Sequence, residues 1–479
     1  MQKLTQGFLQ KSIQNYPKTQ NVLQWVCDNK KTIRFRLFSE IELKSINDPL
    51  KNINKGLGLV SQQEIQAGSE VFLVSTEKSI TGLELVGSDR IKAYEINDSV
   101  TKIASKYYEK NPYQFYYIQN VLKIITQLNV HSKFETMQLY PYADYLLKYF
   151  LDNANEIPKN PLYWDTNTIK GIYSSYLASL ISSTHSQFQS ITEDLYNNRL
   201  FGFVFQDFCN YMSIVRSRNL NFLPEQPKHF DINSVVIMTP VVDWINHSFQ
   251  PNCRVTGTYF EHENESYVCV KAIKDILPGE ELTLNYGNMP NYDFLMKYGF
   301  VNQINEFNEF GLNLNFDNYL EYTSQQFELK QKIFKIQKDF TLDRFVIYQN
   351  KINKDLLRTL RIYFISDQDV FNNTEISTYM FNDFDKQIST QNEVQLCKYM
   401  INILNQEKQK YIKNRQSTLD YNKIERQDKK GLIIDIDTLN EIHLIQDQNY
   451  RNMLHICIEE QIVIDNNIKF FTKMLEKVQ

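Results

Sequence analysis

Hydrophobic and polar positions divide the chain into four stretches. Over residues 1–82 the pattern is first helical, with Val22, Trp25 and Val26 on one face, and then extended, with Ile33, Phe35 and Leu37 alternating. The run Lys55-Gly56-Leu57-Gly58-Leu59-Val60 predicts a glycine turn leading into a strand. Gly68 predicts a second turn, and Glu70-Val71-Phe72-Leu73-Val74 a further strand. Over 83–215 the period changes: Tyr116, Tyr117, Ile118, Val121, Leu122 and Ile125 recur at helical spacing, as do Leu146, Leu147, Tyr149 and Phe150, and then Leu177, Leu180 and Ile181. The last helix of this block places Phe205, Phe208, Cys209 and Met212 on one face and runs into Ser217-Arg218. Strands resume over 216–310, at 235–238, 254–260, 267–273 and 281–284, with a turn at Pro278-Gly279 and a short helix at 292–297. Residues 311–479 are almost entirely helical in pattern, Leu356, Leu357, Leu360 and Phe364 forming one face and Leu396, Cys397, Met400 and Leu404 another. The charged, Gln-rich stretch 405–431 reads as a helix end or a linker.

Composition narrows the class. A chain of 479 residues, 42% hydrophobic, has material for two or three domains. Lys and Arg total 52 against 56 Asp and Glu, so no basic footprint points to nucleic acid. The six cysteines are scattered without a C-x-x-C pair, which argues against a zinc or disulfide framework and for reduced, buried thiols. No apolar run reaches membrane-span length, and residues 1–14 lack the apolar core of a signal peptide. The expectation is a soluble intracellular protein.

The chemistry-bearing residues concentrate in 243–300. Asp243-Trp244-Ile245-Asn246-His247-Ser248 opens this stretch; Gly279-Glu280-Glu281, Asn285-Tyr286-Gly287, Asn291 and Tyr298-Gly299-Phe300 close it. A single histidine with no second ligand at helical or strand spacing makes a poor metal site. Asn246 can bond an adenine edge or an amino-acid group. Taken alone, however, a turn asparagine and a satisfied core histidine explain the Asn246-His247 pair better than a binding site does. Asp243 reads in the same way as a structural partner of a strand or of Arg218, and Tyr286 as one packing residue among 30 tyrosines.

As an ordered set the residues say more. Gly56-Leu57-Gly58-Leu59 with Ile65 and Gly68, Ser217-Arg218, Asp243-x-x-Asn246-His247, Gly279-Glu280-Glu281, Asn285-Tyr286-Gly287, Asn291 and Tyr298-Gly299-Phe300 resemble the SET-domain methyltransferases of the Rubisco large-subunit methyltransferase type, the group that also contains the actin histidine methyltransferase. The resemblance implies an α+β fold: a pseudoknotted, β-rich SET core split by a helical insert and followed by an all-helical C-terminal substrate-binding domain. On this chain that layout gives 1–82 as the N-terminal segment and first part of the core, 83–215 as the insert, 216–310 as the second part of the core, and 311–479 as the C-terminal domain.

The resemblance also implies S-adenosylmethionine as cofactor, held by Gly56, Leu57, Arg218, Asp243, Asn246, His247, Tyr286 and Tyr298, with Tyr286 catalytic and no metal. It implies a threading of the chain that brings Asn246-His247 beside Tyr286. The expected activity is methyl transfer to a lysine of a non-histone protein; a histidine acceptor and a catalytically inactive, protein-binding SET-like scaffold are the alternatives. Tyrosine suits methyl transfer because its hydroxyl orients an amine and its ring tolerates a cation, while an apolar channel keeps the amine neutral. The expected partner is a protein substrate bound partly by the C-terminal helices, with neither nucleic acid nor membrane involved. The chain is expected to be monomeric and cytoplasmic, with the nucleus as a second location. Three positions depart from the family pattern: Lys55 stands where an acidic residue is usual, Tyr211 where a tryptophan is, and Leu220 where a phenylalanine is. No cysteine cluster follows Phe300, unlike the histone-directed branches that close their channel with zinc.

Overall fold

The computed structural model describes residues 2–27, 35–48, 53–81, 117–122, 124–125, 140–152, 160–164, 176–197, 205–221, 236–312, 314, 327–336, 345–372, 376, 384–418 and 448–479. Ile33, residues 83–116 of the expected insert, Val235 and residues 419–431 lie outside them, as does the side chain of Lys55. Two compact units emerge: Met1–Leu162, Ser183–Asn288 and Lys297–Gly299 form the first, and Tyr163–Ser182, Met289–Met296 and Phe300–Gln479 the second.

The first unit opens with α1 (Gln2–Asn15) and α2 (Gln20–Val26), which bury Phe8, Val22, Leu23 and Val26. Four strands follow: β1 (Phe35–Leu37), β2 (Ile41–Asp48), β3 (Ile53–Ser61) and β4 (Glu70–Ser75), then a short β5 (Ile80–Thr81). The expected glycine turn at Gly56 and Gly58 is not a turn. Both glycines lie inside β3, which pairs antiparallel with β2 across an irregularity at Ser45/Asn47. Gly56 takes φ +76 there, a conformation that only glycine adopts cheaply within a strand.

Helix α3 (Tyr140–Asp152) buries Tyr142, Ala143, Tyr145 and Leu146 on one face. Helix α4 (Tyr176–Asn197) reaches α5 (Phe205–Arg218) through an edge-on contact of Phe188 with Phe208, ring centroids 5.6 Å apart. Strands β6 (Leu220–Asn221) and β7 (Val236–Met238) complete a small sheet with β5. Next comes a two-residue strand, β8 (Asn246–His247), then the hairpin β9 (Cys253–Phe260) and β10 (Glu265–Ala272), then another two-residue strand, β11 (Thr283–Leu284). β10 is flanked by β4 and β9 in a sheet ordered β1-β4-β10-β9. Its buried positions fall on both faces, which is why 267–273 reads as a nearly continuous apolar run.

The segment between β10 and β11 is held from two sides. Gly279 N–H donates to Ser61 O, Ser61 N–H to Glu280 O, and Leu282 N–H to Leu59 O, so residues 279–282 run along β3. Immediately afterwards β11 pairs in parallel with β8, Thr283 opposite Asn246 and Leu284 opposite His247. Parallel pairing needs a crossover, and here the β9–β10 hairpin supplies it.

Helix α6 (Asn291–Tyr298) contributes its first six residues to the second unit and its last two to the first. The second unit is helical, as expected, with one addition: β12 (Glu309–Leu312) pairs antiparallel with β13 (Phe345–Tyr348). Around this ribbon stand α7 (Phe327–Ile336), α8 (Lys354–Tyr363), α9 (Asp367–Asn372), α10 (Thr390–Thr418) and α11 (Gln448–Val478). Asn353 caps α8 by accepting from the N–H groups of Asp355 and Leu356 while its own amide donates to Val346 O, tying helix start to strand. Leu396, Cys397, Met400 and Leu404 of α10 meet Val463, Ile464 and Phe471 of α11 in one core with Phe310 and Ile347. No helix among the described residues is long and apolar enough to cross a membrane.

Candidate active site

All eight site residues expected from the sequence lie in the first unit. The site begins with the pairing of β8 and β11, which sets Asn246 between β3 and the end of the 279–282 segment. Its side-chain Nδ2 donates to Leu57 O at 3.3 Å and to Glu281 Oε1 at 2.8 Å. Packing at this point tolerates no side chain on β3. A Cβ on Gly58 would stand 2.6 Å from Ile46 Cγ1, 2.8 Å from Asn246 Nδ2 and 3.1 Å from Glu281 Oε1. Gly58 therefore makes the close approach here, and Gly56 the unusual backbone angle.

His247 and Tyr286 are coupled through the main chain. Tyr286 N–H donates to His247 Nδ1 at 3.1 Å. The neutral ring must then carry its hydrogen on Nε2. The phenol of Tyr286 donates to Ile245 O at 2.6 Å. Its ring lies 5.3 Å from His247 and 4.8 Å from Tyr298, centroid to centroid, and Phe249 stands edge-on to His247 at 4.7 Å. Burial drives the Tyr286 phenol well above its ordinary range; the Arg218 charge opposes this and the Asp243 charge adds to it. Tyr286 thus stays a neutral hydroxyl at any physiological pH.

The third part is the ion pair the sequence offered as one option for Asp243. Arg218, at the end of α5, donates from Nη1 to Asp243 O at 2.8 Å and to Asp243 Oδ2 at 3.3 Å. The Asp243 side chain is fully buried. Burial pushes its carboxyl upward, while Arg218 and a hydrogen bond from Tyr142 pull it back. Oδ1 of the same carboxylate is buried without a hydrogen-bond partner among the described residues. The residues leading in are strained: Val241 holds φ +72, ψ −45, which a β-branched residue adopts only at a cost of about 1–3 kcal/mol, and such strain gathers at functional sites.

The structure thus brings Leu57, Asn246, His247, Tyr286 and Tyr298 into one neighbourhood and joins Asp243 to Arg218 beside it. Sequence reasoning did not single out Glu281, Ile245 or Tyr142. Glu281 sits within a motif already quoted; Ile245 acts through its carbonyl and Tyr142 is one tyrosine among many, so neither carries a sequence signal. Among the described residues no cluster of three or more His, Cys, Asp or Glu is arranged for a metal ion.

Residues 56–287 match the SET domain model, and residues 321–464 match the model for Rubisco LSMT substrate-binding. No curated protein matches the sequence. Among solved structures, the SET domain of LSMT bound to lysine and AdoHcy superposes with a TM-score of 0.68 at 17% identity, over 97% of this chain and 92% of that one. Rubisco LSMT bound to AdoMet gives 0.66 at 16% identity, over 97% and 93%. At such identities the superpositions speak for the fold. The two domain matches, in this order, make the assignment: the chain belongs to the SET-domain family of the Rubisco large-subunit methyltransferase type.

Proposed function

We propose that the chain is an S-adenosylmethionine-dependent protein-lysine N-methyltransferase acting on a non-histone protein. The observation that carries this reading is a buried, neutral phenol, Tyr286, whose hydroxyl hydrogen is committed to Ile245 O. Its oxygen is left with acceptor capacity, directed by a fixed ring.

The residues present fit the cofactor. Asp243 Oδ1, which has no hydrogen-bond partner among the described residues, suits a group carrying hydrogen-bond donors and a positive charge. Asn246 spends both its hydrogen bonds through Nδ2, which leaves Oδ1 as an acceptor. Asn246, Asp243, Arg218 and the main chain at Gly56-Leu57 would hold S-adenosylmethionine, which when bound supplies an electrophilic methyl group on a sulfonium.

The chain's own residues then have three tasks. Tyr286 cannot act as a base, since its phenol is neutral; its oxygen accepts from an amine N–H or makes a weak contact with a polarised C–H. The tilted rings of His247, Tyr286 and Tyr298 give a face that tolerates the sulfonium charge. Desolvation of an entering amine disfavours its ammonium form, so its lone pair is free. Titratable and aromatic roles are thereby separated, and positioning carries the chemistry. The substrate-binding match at 321–464 supports a folded protein as substrate.

The test is incubation of the full chain with radiolabelled S-adenosylmethionine and a cell lysate, followed by identification of the modified residue. Label on lysine is expected. Label on histidine would transfer the reading to the other acceptor, and a chain that neither binds the cofactor nor transfers label would overturn it.

A further inference from the structure

We infer that Tyr142 and Tyr145, both on α3 of the helical insert, are positioning residues that clamp the loop bearing Asp243 and Trp244 into its cofactor-binding form. This rests on the methyltransferase reading above and adds to it a role for the insert.

The loop from Thr239 to His247 has little regular structure of its own. It consists of a strained Val241, a single 3-10 turn at Val242–Trp244 and the two-residue β8. A segment of this kind needs outside anchors to hold one conformation. Helix α3 supplies two, at the i, i+3 spacing that puts both side chains on one face. Tyr142 is completely buried, and its hydroxyl donates to Asp243 Oδ2 at 3.0 Å. Tyr145 accepts from Trp244 Nε1 at 2.9 Å, and the two rings meet edge-on with centroids 5.9 Å apart. Consecutive loop residues are therefore gripped by consecutive phenols of one helix turn.

The grip also sorts the two carboxylate oxygens of Asp243. Arg218 and Tyr142 both address Oδ2. Oδ1 is left buried with no hydrogen-bond partner among the described residues, and on this reading it is the acceptor that a donor on the cofactor would meet. Without the phenol, the carboxylate can rotate about its own axis and share Arg218 between both oxygens, and the acceptor is no longer held in one place. Losing a buried hydrogen bond to a charged group that positions the acceptor is expected to move the binding constant by about a factor of ten.

The experiment measures S-adenosylmethionine binding to the full chain by titration calorimetry, with thermal melting of the cofactor-free protein beside it. Tyr142→Phe removes one hydroxyl and keeps the ring. Its dissociation constant is expected to rise about tenfold. Tyr145→Phe, which removes the acceptor for the Trp244 indole, is expected to raise it about threefold. In an Asp243→Asn background the Tyr142→Phe effect should shrink to less than about twofold, the signature of a shared partner. A wild-type chain that does not bind the cofactor would overturn both the methyltransferase reading and the clamp. Wild-type binding with an unchanged dissociation constant in Tyr142→Phe would overturn the clamp alone, as would Tyr142→Phe effects of equal size in the wild-type and Asp243→Asn backgrounds. If Tyr142→Phe fails to fold, Tyr145→Phe decides by the same criterion.

Discussion

Asn246 and Asn291 belong to one ordered motif, yet the two units use them in opposite ways. Asn246 is half-buried and, among the described residues, spends its hydrogen bonds from Nδ2 alone, with a carboxylate oxygen on Asp243 left without a partner among them. Asn291 is 1% exposed and saturated. Its amide donates to Asn302 O at 2.7 Å and to both Glu459 oxygens at 2.9 Å. Its Oδ1 accepts from Asn302 N–H at 2.9 Å and from Asn305 Nδ2 at 3.2 Å, and its main-chain N–H donates to Asn308 Oδ1 at 3.1 Å. His455 closes the group against Glu459 at 3.1 Å. A saturated network fixes a fold; one that leaves acceptors over is prepared for something else. The difference teaches that a polar residue in a motif is assigned by what its atoms have left unpaired, and not by its place in the motif.

Breaking the closed network should give the largest loss of stability. Asn291→Ala would leave Glu459 buried without its amide partner, at a cost of about 3–5 kcal/mol, seen as a lower denaturation midpoint. Cofactor affinity of the folded fraction should stay within about twofold, since Asn291 makes its hydrogen bonds to Asn302, Asn305, Asn308 and Glu459 and to none of the expected cofactor residues. Breaking the open site should do the reverse. Tyr286→Phe is expected to lower turnover by about 100- to 1000-fold, the scale for loss of one preorganised polar group. Its cofactor dissociation constant should barely move, its melting temperature should fall modestly because Ile245 O loses its donor, and near-normal turnover would remove Tyr286 from the mechanism.

Gly58→Ala tests how tightly the open site is built. Its Cβ would collide with Ile46 and Asn246, so about 1–3 kcal/mol of overpacking is expected along with weaker cofactor binding. An alanine variant with wild-type stability and affinity would show that β3 has room to move. The smallest effect concerns a second network, on the β9–β10 hairpin. There Glu263 accepts from Arg36 and Tyr267, and the hydrogen bond from Arg36 holds its carboxyl down to about 2. A depressed carboxylate contributes stability that is present above the unfolded value near 4.5 and is lost as pH falls towards about 2. Arg36→Met should therefore flatten the decline in melting temperature between pH 5 and pH 2.

Much of this was legible in the chain, and the illegible parts share a cause. The hairpin strands were read at 254–260 and 267–273 and stand at Cys253–Phe260 and Glu265–Ala272, because period-two patterning reports a packed strand wherever it sits. The helix read at 292–297 is Asn291–Tyr298. The Gly56/Gly58 turn was misread, since glycine marks unusual backbone and close approach alike, and here both occur within a strand. β13 was missed because four apolar residues, Phe345–Tyr348, fit a buried helix turn as well as a strand; pairing with β12 decides between them.

By itself the sequence determined the alternation of strand-rich and helical blocks, the family and the identities of the residues around Tyr286, because patterning and ordered motifs are properties of the chain. Only the tertiary structure decided what those residues do for one another. The parallel pairing of β8 with β11 sets Tyr286 N–H on His247, Asp243 is buried with one oxygen unpaired among the described residues, and α3 supplies the phenols that hold it there. Hydrogen bonds and burial between residues far apart in the chain depend on where folding brings them, and local sequence carries no record of that distance.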